Sequence, residues 1–129
     1  TTMADEPTVH VRLLVDDVPA SVDWYCRHFG FEPLNVFPAF ADVRRGPLRL
    51  LLSGPASSAA RPMADGEQPR PGGWNRIHFI VDDLDAEVAR LRDEGVTFRN
   101  EAVSGPGGTQ ILVVDPSGNL VELFQPAAR

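Results

Sequence analysis

A nine-residue pattern occurs twice in this chain: His10-Val11-Arg12-Leu13-Leu14-Val15-Asp16-Asp17-Val18 returns as Arg76-Ile77-His78-Phe79-Ile80-Val81-Asp82-Asp83-Leu84. In each copy a strand-like apolar run ends in Val-Asp-Asp, about a dozen residues of helical spacing follow, and a glycine (Gly30 or Gly95) closes the segment. Such self-similarity restricts the fold more than any single motif, because both halves must then adopt the same supersecondary unit.

Within the first copy, residues 9–15 alternate with the period of a strand. His10, Arg12 and Leu14 fall on one face, and Val9, Val11, Leu13 and Val15 on the other. Asp16 and Asp17 suit a helix N-cap, as do Asp82 and Asp83 in the second copy, and Pro19 suits a first turn. These four carboxylates read as caps and not as a catalytic cluster. A helix is expected to run to Phe29, with Val22, Tyr25, Cys26 and Phe29 as its apolar stripe and Gly30 as a left-handed cap. Cys26 is then a packed thiol, and Trp24, off the stripe, an exposed ring or a dimer contact. Strands are expected over residues 31–37, 40–44 and 48–52, which completes a βαβββ unit.

Residues 53–74 carry four prolines and four glycines, including Pro69, Pro71, Gly72 and Gly73. That composition sustains neither period and reads as a linker or a mobile flap. The second half then predicts a strand over 76–81, a helix over 84–94 striped by Leu84, Val88 and Leu91, and strands over 96–102, 109–114 and 119–125. Gly105 to Gly108 is no phosphate loop, since no helix follows it. The expected organisation is one α+β domain, with βαβββ modules at 9–54 and 75–126 joined by a flap at 55–74.

Charge narrows the partners. All 12 basic residues are Arg against 18 Asp and Glu, a net charge of −6, which argues against nucleic acid and anionic membrane and favours a neutral or cationic small ligand. No apolar run approaches the ~20 residues of a membrane span. Residues 1–8 lack a basic-then-apolar leader pattern, and the lone Cys26 forms no intrachain disulfide, so the expected compartment is the cytoplasm.

The segment Val81-Asp82-Asp83-Leu84-Asp85, its helix ending Glu94-Gly95-Val96, and the closing Asp115-Pro116-Ser117-Gly118-Asn119-Leu120-Val121-Glu122-Leu123 resemble the vicinal oxygen chelate superfamily. That group contains glyoxalase I, extradiol dioxygenases, bleomycin-binding resistance proteins and fosfomycin resistance enzymes. The resemblance spans nearly the whole chain. It implies two βαβββ modules in a curved mixed sheet forming an open cup, helices outside, completed by a second subunit.

In metal-using members of that superfamily each module supplies a ligand five residues before the Val of Val-Asp-Asp and another in its last strand. By the resemblance these positions are His10 and Leu50, then Arg76 and Glu122. Leucine cannot ligate and arginine does not lose its proton in a protein, so neither a metal nor another cofactor is expected. Arg76 and Glu122 should instead form a bidentate ion pair on adjacent strands. His78 shares the face of Arg76 and offers an alternative set, His10, His78 and Glu122. Its two-residue offset, roughly 6.5 Å along a strand, argues against that set.

The reading that follows is a homodimeric binding protein of the bleomycin-resistance kind, holding a small molecule such as an antibiotic without chemistry. The cup lining would comprise His10, Arg12 and Leu50, the aromatic residues Phe37, Phe40 and Trp74, and Arg76, His78 and Glu122. The alternative is a metal-dependent lyase, isomerase or dioxygenase using His10, His78 and Glu122; a weaker one has His10 or Glu122 as a metal-free general base. No catalytic residue is nominated, and enzymatic activity is left open.

Overall fold

A computed structural model describes residues 9–128. Residues 1–8, which bear on the targeting argument, lie outside that range. The chain divides into two compact units with the break after Gly72.

The first unit is built from β1 (Val9–Leu14), α1 (Val18–Phe29), β2 (Glu32–Val36), β3 (Phe40–Arg45) and β4 (Leu48–Ser53). Its sheet order is β1-β4-β3-β2, with β1 parallel to β4 and the other pairs antiparallel. Asp17 caps α1 by accepting a 3.0 Å bond from the Ala20 amide, and Gly30 ends it at φ 69°, where a side chain would be strained. α1 lies over β2, β3 and β4. Tyr25, Phe29 and Phe31 pack in a core with Ala41, Val43, Leu50 and Leu52, burial that drives the unit together.

The buried stripe of α1 is rotated from the one expected. Ser21 and His28 are buried, while Val22 and Cys26 are half-buried. Ser21 tolerates burial because its hydroxyl donates to the Asp17 carbonyl at 2.8 Å. Trp24 is neither a bare surface ring nor isolated. It sits 4.8 Å from Tyr25 and 5.2 Å from Phe29, ring centre to ring centre. Burial, reinforced by Asp23, pushes the Cys26 thiol up, the opposite of what a reactive thiolate needs.

The second unit repeats the plan: β5 (Arg76–Ile80), α2 (Leu84–Asp93), β6 (Thr97–Phe98), β7 (Val103–Gly105), β8 (Gly108–Val114) and β9 (Leu120–Pro126). The order is β5-β9-β8-β6, with β7 also on β8 and β5 parallel to β9. Asp83 caps α2 as Asp17 caps α1. Leu84 and Leu91 of α2 are buried, as are Ile111, Val113, Val121 and Leu123 of the sheet.

Of the strand expected over 96–102 only β6, Thr97–Phe98, forms, and pairing resumes at β7 just beyond that span. Pairing shifts by two residues between Phe98↔Val113 and Val103↔Gln110, and across the gap the Leu112 amide donates to the Asn100 side chain at 2.9 Å. A side-chain carbonyl thus replaces a backbone acceptor and lets the strand bulge. Beyond β7 the chain reverses within Gly105–Gly108; a Cβ on Gly108 would stand 2.2 Å from the Gln125 carbonyl.

The Pro- and Gly-rich segment makes a short 3-10 turn, Ser58–Ala60, with Ala60 buried. The Gln68 side chain bonds back to the Ala60 carbonyl. Among the described residues, no helix is long and apolar enough to cross a membrane. The architecture is α+β: among the described residues nine strands form two mixed sheets, a βαβββ module of four strands and a second on the same plan with one extra short strand.

Candidate ligand site

Register decides what the second module can do. His78 on β5 stands directly opposite Glu122 on β9, and Arg76 lies two residues earlier on the same face. Gln110 on β8 is opposite Phe124, next to Glu122 on that face. Four polar side chains from three strands therefore meet on one sheet surface, because residues of like parity share a face.

Glu122 is the centre of the group and one of the few buried charged residues, with 10% of its side chain exposed. Its Oε1 accepts from Arg76 Nε at 2.9 Å. Its Oε2 faces His78 Nε2 at 3.4 Å. With its amide turned as the hydrogen bonding requires, Gln110 Nε2 lies 2.8 Å from Oε2 and 3.3 Å from Oε1. A carboxylate taken out of water needs such donors; here Arg76 and Gln110 supply them, with the His78 ring alongside.

The Arg76–Glu122 pair is present but is not the bidentate fork expected. Only Nε reaches the carboxylate; Nη1 donates instead to the Trp74 carbonyl at 3.2 Å, tying the end of the Pro- and Gly-rich segment to β5. The second carboxylate oxygen is left to His78 and Gln110. His78 reaches the carboxylate from directly opposite it in the β5–β9 register, and Arg76 reaches it across the two-residue offset. The His78 ring also rests on Phe124, with centres 5.0 Å apart. Neither Gln110 nor Phe124 was singled out in the sequence, although polar Gln110 ahead of the apolar run 111–114 was a signal of the same kind as Glu122.

This donor set does not suit a divalent metal. Of the groups around the carboxylate, the guanidinium repels a cation and the Gln110 amide is turned to present its N–H, which leaves one imidazole and one carboxylate where three protein ligands are usual. Among the described residues no three His, Cys, Asp or Glu side chains are gathered as a metal ion would require.

Trp74 is 64% exposed, with the Arg99 guanidinium 5.5 Å from its ring centre. In the first module, His10 is exposed on β1 opposite Arg49, and Arg12 donates through Nη1 to the Ser53 hydroxyl at 2.9 Å. Phe40 begins β3, and Phe37 is exposed at the tip of the β2–β3 hairpin, where the two residues close the turn by a 2.8 Å backbone bond.

Leu50 requires correction. It is 0% exposed, in register with Val11 and Val43, and belongs to the helix-facing core. Aligning the parallel pairs of the two modules, His10↔Arg49 with Arg76↔Leu120, makes Leu51 the counterpart of Glu122. A one-residue slip in reading a strand moves a side chain to the opposite face.

The first module has its own buried carboxylate elsewhere. Asp42 on β3 is fully buried and accepts from Asn35 N at 2.8 Å, Asn35 Nδ2 at 3.0 Å and Arg49 Nε at 2.6 Å, with Arg49 Nη2 also against it. Burial would raise its pKa, but the bonds from Arg49 and Asn35 outweigh that and hold the carboxyl below the usual carboxylate range.

The sequence profile of the Glyoxalase/Bleomycin resistance protein/Dioxygenase superfamily matches residues 8–123. Among solved structures, lactoylglutathione lyase from Agrobacterium tumefaciens is 27% identical, with 91% of each chain covered and a TM-score of 0.69. TnmS3, an antibiotic binding protein from Streptomyces sp. CB03234, is 26% identical over 92% of this chain and 93% of that one, with a TM-score of 0.69. A superfamily member from Sphaerobacter thermophilus is 29% identical over 90% and 94%, with a TM-score of 0.70. Among curated proteins, none matches the chain significantly.

Proposed function

The chain belongs to the glyoxalase/bleomycin resistance protein/dioxygenase superfamily, and we propose that within it the protein is a metal-free small-molecule binder, sequestering an antibiotic or a related compound. One observation carries this reading: Glu122 is held by Arg76, His78 and Gln110, so the position that could ligate a metal is engaged by protein donors. The ligand would lie on the face bearing His78 and Phe124, with exposed Trp74 available for stacking. The likeness to TnmS3 supports the antibiotic class. The proposal includes a cytoplasmic homodimer: each sheet ends in a strand with an open edge, and Ile80 on β5 is 65% exposed.

Elemental analysis of purified protein, followed by a thermal-shift screen of antibiotics and divalent metals, tests the reading. Substoichiometric metal and stabilisation by an organic ligand alone are expected, since a ligand binding only the native state raises its stability by mass action. Stoichiometric metal as purified would sink it. Sedimentation at micromolar concentration should give a dimer; a monomer contradicts that part.

A second reading, a metal-dependent lyase, isomerase or dioxygenase, draws on two observations. His78 and Glu122 lie side by side, and the chain resembles lactoylglutathione lyase. The same elemental analysis separates the two.

A further inference from the structure

The two modules place their carboxylates differently, and the difference leaves an arginine poised. In the second module the side chain opposite Glu122 is His78; at the matching place in the first module the side chain opposite Arg12 is Leu51. The first module's buried carboxylate, Asp42, lies one strand further on and is gripped by Arg49 and Asn35. Arg12 is therefore exposed, aimed by its 2.9 Å bond to the neutral Ser53 hydroxyl, and opposite an aliphatic residue where its counterpart meets an acid.

That face carries three arginines, Arg12, Arg44 and Arg49, against two acids, Asp42 and Glu32, although the chain as a whole is acidic. His10, Arg49 and Arg44 stand in one cross-strand row, beside the row Arg12, Leu51, Asp42. Like charges directly opposite each other cost stability, so the Arg49–Arg44 register is tolerated with Asp42 against Arg49 and Glu32 opposite Arg44. Neither acid is on Arg12's strand or on the neighbouring β4. Half-exposed Leu51 and Phe40 lie beyond it on the same face and offer apolar contact.

We infer that the first module's sheet face recognises an oxyanion, a carboxylate or a group of similar shape, joined to an apolar or aromatic body. Arg12 binds the anion while Leu51 and Phe40 contact the body. A guanidinium presents a planar donor fork that matches a carboxylate, and Ser53 reduces the freedom lost on binding by fixing one of its nitrogens. This reverses the preference for a cationic ligand suggested by net charge, because a bound group responds to the charges within a Debye length of about 8–10 Å rather than to the total. It goes beyond the small-molecule-binding reading, which places a ligand on the second module, by assigning a ligand class to the first module's own sheet face.

The test uses two probes of the same shape, benzoate and neutral benzamide, titrated calorimetrically into the full chain at pH 7 and low salt. Benzoate should bind about ten-fold more tightly or better, Arg12→Gln should abolish that advantage, and Arg12→Lys should retain part of it. Equal binding of the two probes, an advantage unchanged in Arg12→Gln, or no binding of either at millimolar concentration overturns the inference. Thermal melting of each variant checks that the fold is intact, and the retained advantage of Arg12→Lys is a readout that misfolding would not produce. Metal content is measured on the same samples. Stoichiometric metal would defeat the metal-free reading, while the benzoate preference measured after chelation would still decide the role of Arg12.

Discussion

The first module buries a carboxylate on β3; the second buries one on β9, besides Asp115, which holds the turn before that strand. Where Asp42 stands opposite Leu51, the second module has Leu112 opposite Glu122, so acid and leucine have changed places across one strand pair. The environments differ accordingly. Asp42 is 0% exposed and gripped by Arg49 and Asn35 from the two neighbouring strands, an enclosed structural pair. Glu122 has three weaker-placed neighbours, of which the His78 side chain is 45% exposed and the Arg76 side chain 31%. Even the bulges trade roles: Asp42 accepts from the Asn35 amide, whereas Asn100 accepts from the amide of Leu112. A repeated backbone thus supports one carboxylate sealed for stability and another open at its rim.

The largest effect should come from the sealed pair. Asp42→Leu removes the acceptor of Arg49 and of the Asn35 amide and should cost about 3–5 kcal/mol in urea unfolding at neutral pH. Adding Leu51→Glu imposes the second module's pattern on the first, placing an acid opposite Arg12. The double variant should recover about 1 kcal/mol or more in a mutant cycle. Simple additivity would mean that the two arrangements are not interchangeable.

Arg76→Ala should cost less, about 1–3 kcal/mol, because His78 and Gln110 still hold Glu122 and part of the site reaches water. A loss equal to that of Asp42→Leu would erase the proposed difference between a sealed and an open carboxylate.

Acid should act through the same contrast. Asp42's carboxyl is held below its ordinary value, so it binds fewer protons folded than unfolded around that value. Its contribution is full above about pH 4, the unfolded range, and is lost as pH falls through the lower native value. Unfolding measured from pH 5 downward should lose stability more gently in Asp42→Asn than in the unmodified chain. Parallel slopes would contradict the assignment.

The smallest expected change is at Trp74. Trp74→Ala should shift unfolding by less than about 0.5 kcal/mol, as befits an exposed side chain, yet weaken binding of an aromatic ligand. Hydrogen exchange over residues 55–74 should be fast in the free protein and slower once ligand is bound. Full protection of that segment in the free protein would deny it the part of a flap.

The repeated Val-Asp-Asp pattern, the caps at Asp17 and Asp83, Gly30 and the strand runs were legible because they are local. Helix caps, glycine conformations and hydrophobic period act within a few residues and are written in neighbouring positions. Glu122 was legible too, as a charge inside an apolar strand. Its partners were less so: Gln110 is twelve residues away, and its approach depends on how β8 registers on β9. The same dependence hid Asp42 and misassigned Leu50.

By itself the sequence determined that two like modules exist, which elements each contains, and that Glu122 must be satisfied by something. Only the tertiary structure decided what satisfies it. Strand register pairs residues far apart in the chain, and a shift of one residue exchanges the two faces of a strand. That is why Leu51 rather than Leu50 corresponds to Glu122, why His78 joins Arg76 on one carboxylate, and why Arg12 meets a leucine instead of an acid.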